Sequence, residues 1–338
     1  MLAHTRELWL KARGQSFFIT GGTGFFGIWL LESFARANDA LALGMRATVL
    51  TRDPAAFAHK APHLAQRADL NFHQGDLRTF TFPAGRFTQV IHAAADTGVW
   101  TNNDSADGLM ERIAAGMDHL LDFAATAGVE NFLHISSGAV YGPQPDELAL
   151  LPDDYPGLTR QLPPGAAWAR GKRVAEQQCL THANRHGYAL KIARCFAFVG
   201  PHLNANYAIS NFIRDALLLR PIQVTGDGTP HRSYLYAADL AIWLWTLLFA
   251  GPPGRPYNVG SPASLSIAEV ARTVATAAGA ELPVIILGTN PPGLPPVRYV
   301  PAVNRAETEL GLRVWVPLDA AIKKTLAWQR SAQAAVVS

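Results

Sequence analysis

Only 2 of the 338 residues are cysteine, only 16% are charged, and the basic residues never gather into an arginine-rich tract. Cys179 and Cys195 are too few for a disulfide framework, which points to a reducing compartment, the cytoplasm. Residues 1–14 carry Arg6, Glu7, Lys11 and Arg13 where a secretory leader would place an apolar core. The strongest apolar run, Ala241 to Gly251, falls short of the ~20 residues of a membrane span. Trp243 and Trp245 are therefore read as buried helix positions, and no membrane partner is expected. A scattered net charge of +3 argues equally against nucleic acid. His182 and His186 stand at helical ligand spacing, but no acid follows the first of them as a zinc protease would need, so no metal site is expected. Repeats and low-complexity tracts are also missing.

What is present is apolar material. At 49% hydrophobic residues the chain can offset the entropy of folding, and its length suits a major plus a minor domain. Short, unalternating apolar runs recur at Ser16 to Thr20, Ala47 to Thr51, Leu70 to His73, Val90 to Ala94, Asn131 to Ser136 and Leu190 to Phe196. Such runs suit strands covered on both faces of a parallel sheet. Helical patterns lie between them, notably Gly24 to Ala37, Met110 to Ala127 and Trp168 to His186. The alternation predicts an α/β fold, a doubly wound parallel sheet of Rossmann type. A helix is also expected over the first dozen residues, packing through Leu2, Leu8, Trp9 and Leu10. Pro and Gly become dense after residue 200. The expected division is a dinucleotide domain over 1–200 and a smaller substrate domain over 201–338, parts of which return to the first.

Thr20-Gly21-Gly22-Thr23-Gly24-Phe25-Phe26-Gly27 joins the first strand to the first long helix. Gly21 permits the tight turn, Gly24 lets backbone approach a pyrophosphate, and Gly27 allows close helix–strand packing, with the anion on the helix N-terminus. At the tip of the second strand stands Arg52, where an acid would hold the adenosine ribose. A guanidinium there attracts a 2′-phosphate, which favours NADP. NAD remains the alternative, with Arg52 on adenine or in solvent and Asp53 turned inward. Asp76 and Leu77, after the third strand, suit the adenine amino group and ring. Ala93, Ala94 and Ala95 leave room for the cofactor backbone.

With these residues the chain resembles the extended short-chain dehydrogenases/reductases, the NAD-dependent epimerase/dehydratase family of nucleotide-sugar enzymes. The likeness runs from about residue 16 to 328. It includes Ser136-Ser137-Gly138-Ala139-Val140-Tyr141-Gly142, Gly171-Lys172, Gly226-Asp227-Gly228-Thr229, Arg232-Ser233-Tyr234, Asp239-Leu240 and Tyr257-Asn258-Val259-Gly260. The resemblance implies a Ser or Thr after the fifth strand and a Tyr and a Lys four residues apart on the next helix, hence on one face. The lysine lowers the phenol pKa and holds the nicotinamide ribose, while the phenol meets the reacting oxygen. Ser137 and Lys172 fit.

The tyrosine position is Trp168. An indole only donates and does not titrate usefully in water, so it cannot be the base of an oxidation. Three readings follow: a protein that binds without turnover, an enzyme using another group beside the nicotinamide, or a register in which another residue fills the gap. Tyr141, expected in the turn after Ser137, and Tyr155 are the available phenols, and both are read as structural. Ile113-Ala114-Ala115-Gly116 also stands where the family commonly places an Asn.

Gly138 and Ala139 occupy the positions at which sugar 4,6-dehydratases carry an acidic pair, and the glutamate of the family's decarboxylases is missing too. The resemblance is therefore closer to epimerases and ketoreductases, with a non-catalytic nucleotide-sugar-binding protein as the alternative and a dehydratase ranked below both. It further implies that Asn211, Arg232 and Arg298 contact the nucleotide-diphosphate sugar, and that the two long helices pair with their symmetry mates in a homodimer.

Overall fold

The computed structural model describes the chain except residues 95–105, 158–165, 280, 290–292, 294 and 338. Six strands, β1 (Ser16–Thr20), β2 (Arg46–Thr51), β3 (Leu70–Gln74), β4 (Gln89–His92), β5 (Asn131–Ser137) and β6 (Ala189–Cys195), follow one another along the first half. Their order across the sheet is β3-β2-β1-β4-β5-β6, and all five of these pairings are parallel. Two short strands, β7 (Phe198–Val199) and β8 (Ile222–Val224), lie outside it, as do β9 (His231–Arg232) and β10 (Leu235–Tyr236). β11 (Pro256–Val259) completes a seven-stranded sheet beside β6. The order reverses between β1 and β4, so a crevice opens at their carboxyl ends, where doubly wound sheets bind ligands.

Alternation along β1 feeds two aromatic layers. The first helices are α1 (Leu2–Leu10), α2 (Phe25–Leu41), α3 (Pro54–Lys60), α4 (Pro62–Ala65), α5 (Ala106–Thr126), α6 (Ala167–His186), α7 (Ala208–Leu217) and α8 (Ala237–Ala250). Phe17 packs edge-on against Phe34 of α2 and Trp245 of α8, at centroid distances of 5.4 and 5.8 Å. Phe18, on the opposite face, meets Phe123 of α5 at 4.4 Å and Phe80 at 5.5 Å. Trp243 and Trp245 are wholly buried, as their run suggested, and the Trp245 indole donates to Ser33 Oγ at 2.7 Å. Burying an indole this way requires such an acceptor.

α1 lies where a terminal helix was expected, held by Trp9, whose ring sits 4.5 Å from that of Trp245. Leu10 differs from the expectation: it is 37% exposed, because the helix turns Thr5 and Trp9, four residues apart, toward the body. α2 runs past Ala37 to Leu41, since nothing before the left-handed Ala42 interrupts it. β4 closes at His92, not Ala94. Ala93 N still donates to Thr20 O at 3.0 Å, but Ala94 N turns to the Thr20 hydroxyl at 3.3 Å, so the side chain replaces the ladder. β6 closes at Cys195, and Phe196 N donates to the backbone O of Val259 in β11.

By contacts between residues the chain forms two compact units, one of residues 1–142, 156–195 and 241–257 and one of 143–155, 196–240 and 258–338. The second contains small sheets, β7 with β10 and β8 with β13 (Val284–Ile286), the latter preceded by β12 (Leu265–Ser266). β9 lies between β12 and β14 (Arg298–Tyr299). The helices α9 (Ile267–Ala278), α10 (Asn304–Leu310) and α11 (Leu318–Val337) complete it. Asn258 ties it internally: its amide donates to Leu151 O and Ala302 O, and its backbone N–H to Asp153 Oδ1. Among the described residues no helix is long and apolar enough to cross a membrane.

Candidate active site

The turn from β1 into α2 has two positions, Gly21 and Gly27, that cannot carry a side chain. Gly21 has φ +72, and a Cβ there would lie 2.4 Å from Ala94 N and 2.5 Å from Ala93 C. A Cβ on Gly27 would lie 2.3 Å from Gly21 O. Gly24 caps α2 in extended conformation with no side-chain bond, and its nearest neighbour to a Cβ is Gly21 O at 3.4 Å. The cradle therefore brings β1, β4 and the α2 N-terminus together with backbone alone on its open side. Thr23, Phe25 and Phe26 flank that opening half-buried. Orphan N–H groups of a first helical turn suit a pyrophosphate, so these residues fit a dinucleotide. The nicotinamide it carries would accept or supply the hydride of an alcohol–ketone interconversion. Ala95 lies outside the described residues.

At the tip of β2 Arg52 and Asp53 have different surroundings. Asp53 is the N-cap of α3, its Oδ1 accepting from Ala56 N at 2.9 Å, while Arg52 is exposed. Turning Asp53 inward would cost the cap, about 1 kcal/mol. Lys60, at the end of α3, reaches back to donate to Thr23 O at 3.1 Å and adds a second cation beside the cradle. Asp76 follows β3 with its carboxylate gripped by Arg78 at 2.8 and 3.0 Å. That bond, with help from the Arg78 backbone and from Arg52, holds its pKa down to about 2. Leu77 is half-buried and packs beside Gly116 of α5, where a Cβ would meet its Cδ2 at 3.0 Å.

Ser137 ends β5 and caps the 3-10 turn Gly138–Tyr141 by accepting from Ala139 N at 3.1 Å. Trp168 and Lys172 stand one turn apart on α6, with the Lys172 Nζ 5.1 Å from the centre of the indole. Lys172 is 4% exposed and donates to Ile135 O at 3.1 Å, two residues before Ser137. Burial draws its pKa down to about 8, against the opposing pull of Cys195, Cys179 and Glu176. One turn further along, Glu176 Oε1 accepts from Ser136 Oγ at 2.5 Å, and Oε2 from Arg194 of β6 at 2.7 Å. Arg194 in turn lies 4.8 Å over the ring of Tyr141. This buried network locks α6 to the ends of β5 and β6 and hence holds Lys172 against Ile135 O, two residues before Ser137. Tyr141 is 1% exposed beneath Arg194 and belongs to the turn.

The second unit brings Asn211 of α7 and Arg232 of β9 to one cavity of about 590 Å³, which Arg214, Asp215, Arg220 and Gln223 also line. Asp227 Oδ1 accepts from Thr229 N and Oγ1, closing the turn that leads into β9. Arg232 lies over the Tyr299 ring at 5.8 Å, and Arg298 sits on the adjoining strand β14. Arg298 does not line that cavity. Among the described residues no group of three or more His, Cys, Asp or Glu is placed to hold a metal ion.

The sequence pattern of the NAD dependent epimerase/dehydratase family matches residues 17–260, from the second residue of β1 to the glycine after β11. The chain belongs to that family. It is 26% identical over 323 residues to a dTDP-glucose 4,6-dehydratase of Streptomyces niveus, covering 94% of this chain and 93% of that protein. It is 30% identical over 217 residues to a UDP-glucuronic acid decarboxylase 1 of Xenopus tropicalis, covering 64% of this chain and half of that protein. Among solved structures it resembles the UDP-glucuronic acid 4-epimerase of Bacillus cereus, in complex with UDP-glucuronic acid and NAD. There the TM-score is 0.77 at 19% identity, covering 94% of this chain and all of that one, so the extended fold is shared.

The two positions at which the sequence was expected to depart from the family pattern have definite local surroundings. Ile113, in the stretch without the family asparagine, lies against Gly171 of α6, where a Cβ would approach Ile113 Cδ1 to 2.6 Å. Small and apolar residues there let α5 and α6 close on one another. Trp168 is the other, its indole stacked on the ammonium that a phenol would otherwise face. Two residues went unread as site elements in the sequence, His92 and His134. They face each other across β4 and β5, stacked 5.4 Å apart and interplanar at 11°. Burial, reinforced by Lys172, keeps both neutral, with His92 lowered to about 3. His92 Nδ1 pairs with Thr20 Oγ1 at 2.7 Å. A histidine within β5, three residues before Ser137, was the available signal, but its pairing is a matter of register.

Proposed function

We propose that the chain interconverts an alcohol and a ketone on a nucleotide-diphosphate sugar, as an NAD(P)-dependent epimerase or 4-ketoreductase. The observation that supports this reading is that Lys172 is buried against Ile135 O of β5, two residues before Ser137 at that strand's end, with Gly138 and Ala139 offering no carboxylate for elimination of water. Ser137 orients the sugar hydroxyl, Lys172 holds the ribose, and Asn211, Arg232 and Arg298 of the second unit take the diphosphate side, residues 201–338 forming most of a substrate domain. Relatives named as dehydratases and a neighbour named as an epimerase support the nucleotide-sugar class and leave the reaction to be measured. Incubating the purified protein with NAD or NADP and a panel of UDP-, dTDP-, CDP- and GDP-sugars tests this. An epimer or a reduced sugar supports it, and a 4-keto-6-deoxy product returns the chain to the dehydratases. Trp168 is the observation that favours a second reading, a binding protein, which retained dinucleotide with no conversion would support.

NADP is the proposed cofactor, NAD the alternative. Arg52 is exposed at the β2 tip and the competing carboxylate of Asp53 is committed to its cap. A charge-assisted contact contributes about 1.5–3 kcal/mol, so Arg52→Asp is expected to reverse the preference by more than tenfold. Titrating both cofactors by intrinsic fluorescence checks it, and equal affinities in the unaltered protein would sink the idea.

A homodimer is proposed through α5 and α6. These helices are already tied together, Gln178 Nε2 donating to Ala114 O at 3.3 Å and to Asp118 Oδ1 at 2.6 Å, and Val174 is left 39% exposed. An isologous pairing would cover that face. Light scattering at micromolar concentration is expected to give twice the chain mass. Both cysteines are buried and free, in keeping with a cytoplasmic protein.

A further inference from the structure

We infer that Lys172 itself, held against the indole of Trp168, gives a proton to and takes a proton from the reacting oxygen of the sugar. This rests on the oxidoreductase reading. The argument begins with the spacing: Trp168, Lys172 and Glu176 recur every fourth residue and share one face of α6. The first is a donor that does not titrate. The last is committed to Arg194 and Ser136. The other titratable groups facing this point are spent as well. His92 on β4 is paired with Thr20, and His134 on β5 is wholly enclosed, with neither ring nitrogen hydrogen-bonded among the described residues. Both imidazoles stay neutral, and burial pushes the thiols of Cys179 and Cys195 far up. Tyr141 is shut beneath Arg194.

Among the described residues that face this point, Lys172 alone remains adjustable. Its ammonium has three N–H bonds, of which the structure assigns one to Ile135 O at 3.1 Å and places the indole face 5.1 Å away. As the neutral amine it keeps the bond to Ile135 and gains a lone pair. Burial brings the two forms within reach near neutrality, at a pKa of about 8. Buried lysines elsewhere become bases by the same desolvation. In the oxidative direction the sugar O–H bond breaks and its proton goes to the Nζ lone pair. The C–H bond breaks with its electron pair going to the oxidised nicotinamide, and the C=O bond forms. In reduction the ammonium would give its proton to the carbonyl oxygen as a dinucleotide held in the cradle supplied the hydride, and water would recharge the amine.

The test has one readout in the cofactor-free protein. With 15N-labelled indoles, the Trp168 resonance is assigned by its loss in Trp168→Phe and followed from neutral to strongly alkaline pH. It is expected to titrate with a midpoint at about 8, and that step is expected to vanish in Lys172→Met. A flat Trp168 resonance, or a step that survives Lys172→Met, overturns the proposal. The second readout is the pH profile of kcat on a converted sugar nucleotide. Lys172→Arg keeps a cation over the indole but does not titrate, so the limb near that pH should disappear, with kcat down about 10²–10⁴-fold and dinucleotide affinity retained. An unchanged profile in Lys172→Arg overturns the proposal as well. A wild type that converts no sugar nucleotide defeats the oxidoreductase reading and this role with it. A wild type that turns over beside a flat resonance defeats only the role of Lys172.

Discussion

Trp168→Tyr is expected to raise epimerase or reductase turnover by up to about 10²–10⁴-fold, the ceiling a positioned acid–base group supplies, because a phenol would join Lys172 as a second such group. The substitution places a phenol one helical turn before Lys172, whose Nζ now faces the indole at 5.1 Å. A cation at that distance favours the phenolate and so lowers the phenol pKa toward working pH. Tyr is smaller than Trp and amphipathic in the same way, so the half-buried site should accept it without loss of cofactor binding. The measurement is kcat on whichever sugar nucleotide the panel identifies, with dinucleotide affinity alongside. Activity that is already high and does not change would mean that Trp168 is no defect, the outcome consistent with Lys172 carrying the proton alone. Activity absent in both proteins across the panel would favour a binding protein.

Gly21→Ala is expected to lose both the dinucleotide and much of the fold's stability. The residue sits at φ +72, where a side chain is strained, and its Cβ would press on the Ala93 and Ala94 backbone at 2.4 to 2.6 Å. Backbone cannot yield as a flexible side-chain end does. Strain of this kind costs about 1–3 kcal/mol and overpacking a comparable amount, so a combined loss of roughly 2–6 kcal/mol should appear in urea unfolding. Gly24→Ala is the informative companion. Gly24 has φ −81 and only Gly21 O, at 3.4 Å, near its would-be Cβ. That variant should fold close to normally yet bind dinucleotide more weakly, because the methyl group occupies the space of the pyrophosphate. Equal stability of Gly21→Ala and wild type would remove the cradle from the account.

Much of this was legible along the chain because it depends on local rules. Buried parallel strands leave unalternating apolar runs, so β1 was placed to the residue and β2, β3 and β5 to within one. The glycine turn announces itself because only glycine tolerates both the left-handed φ of residue 21 and the contacts at residue 27. Ser137, Lys172 and Trp168 were singled out by resemblance to the family's pattern, whose spacing falls on a strand end and a helix face. Tertiary structure decided the rest. That α3 takes Asp53 as its cap and leaves Arg52 exposed is a contact invisible in composition. His92 and His134 lie 42 positions apart by their numbers, and only the register of β4 on β5 stacks them. The lowered pKa of Lys172 has no sequence signature either, since it arises from burial by α6 closing on β5, and burial is a property of packed elements. The sequence by itself determined the fold and the kinds of residue at the site, because backbone geometry and periodicity are local. Which of those groups remain free to move a proton was decided by long-range packing, which removes water and assigns each polar atom its partner.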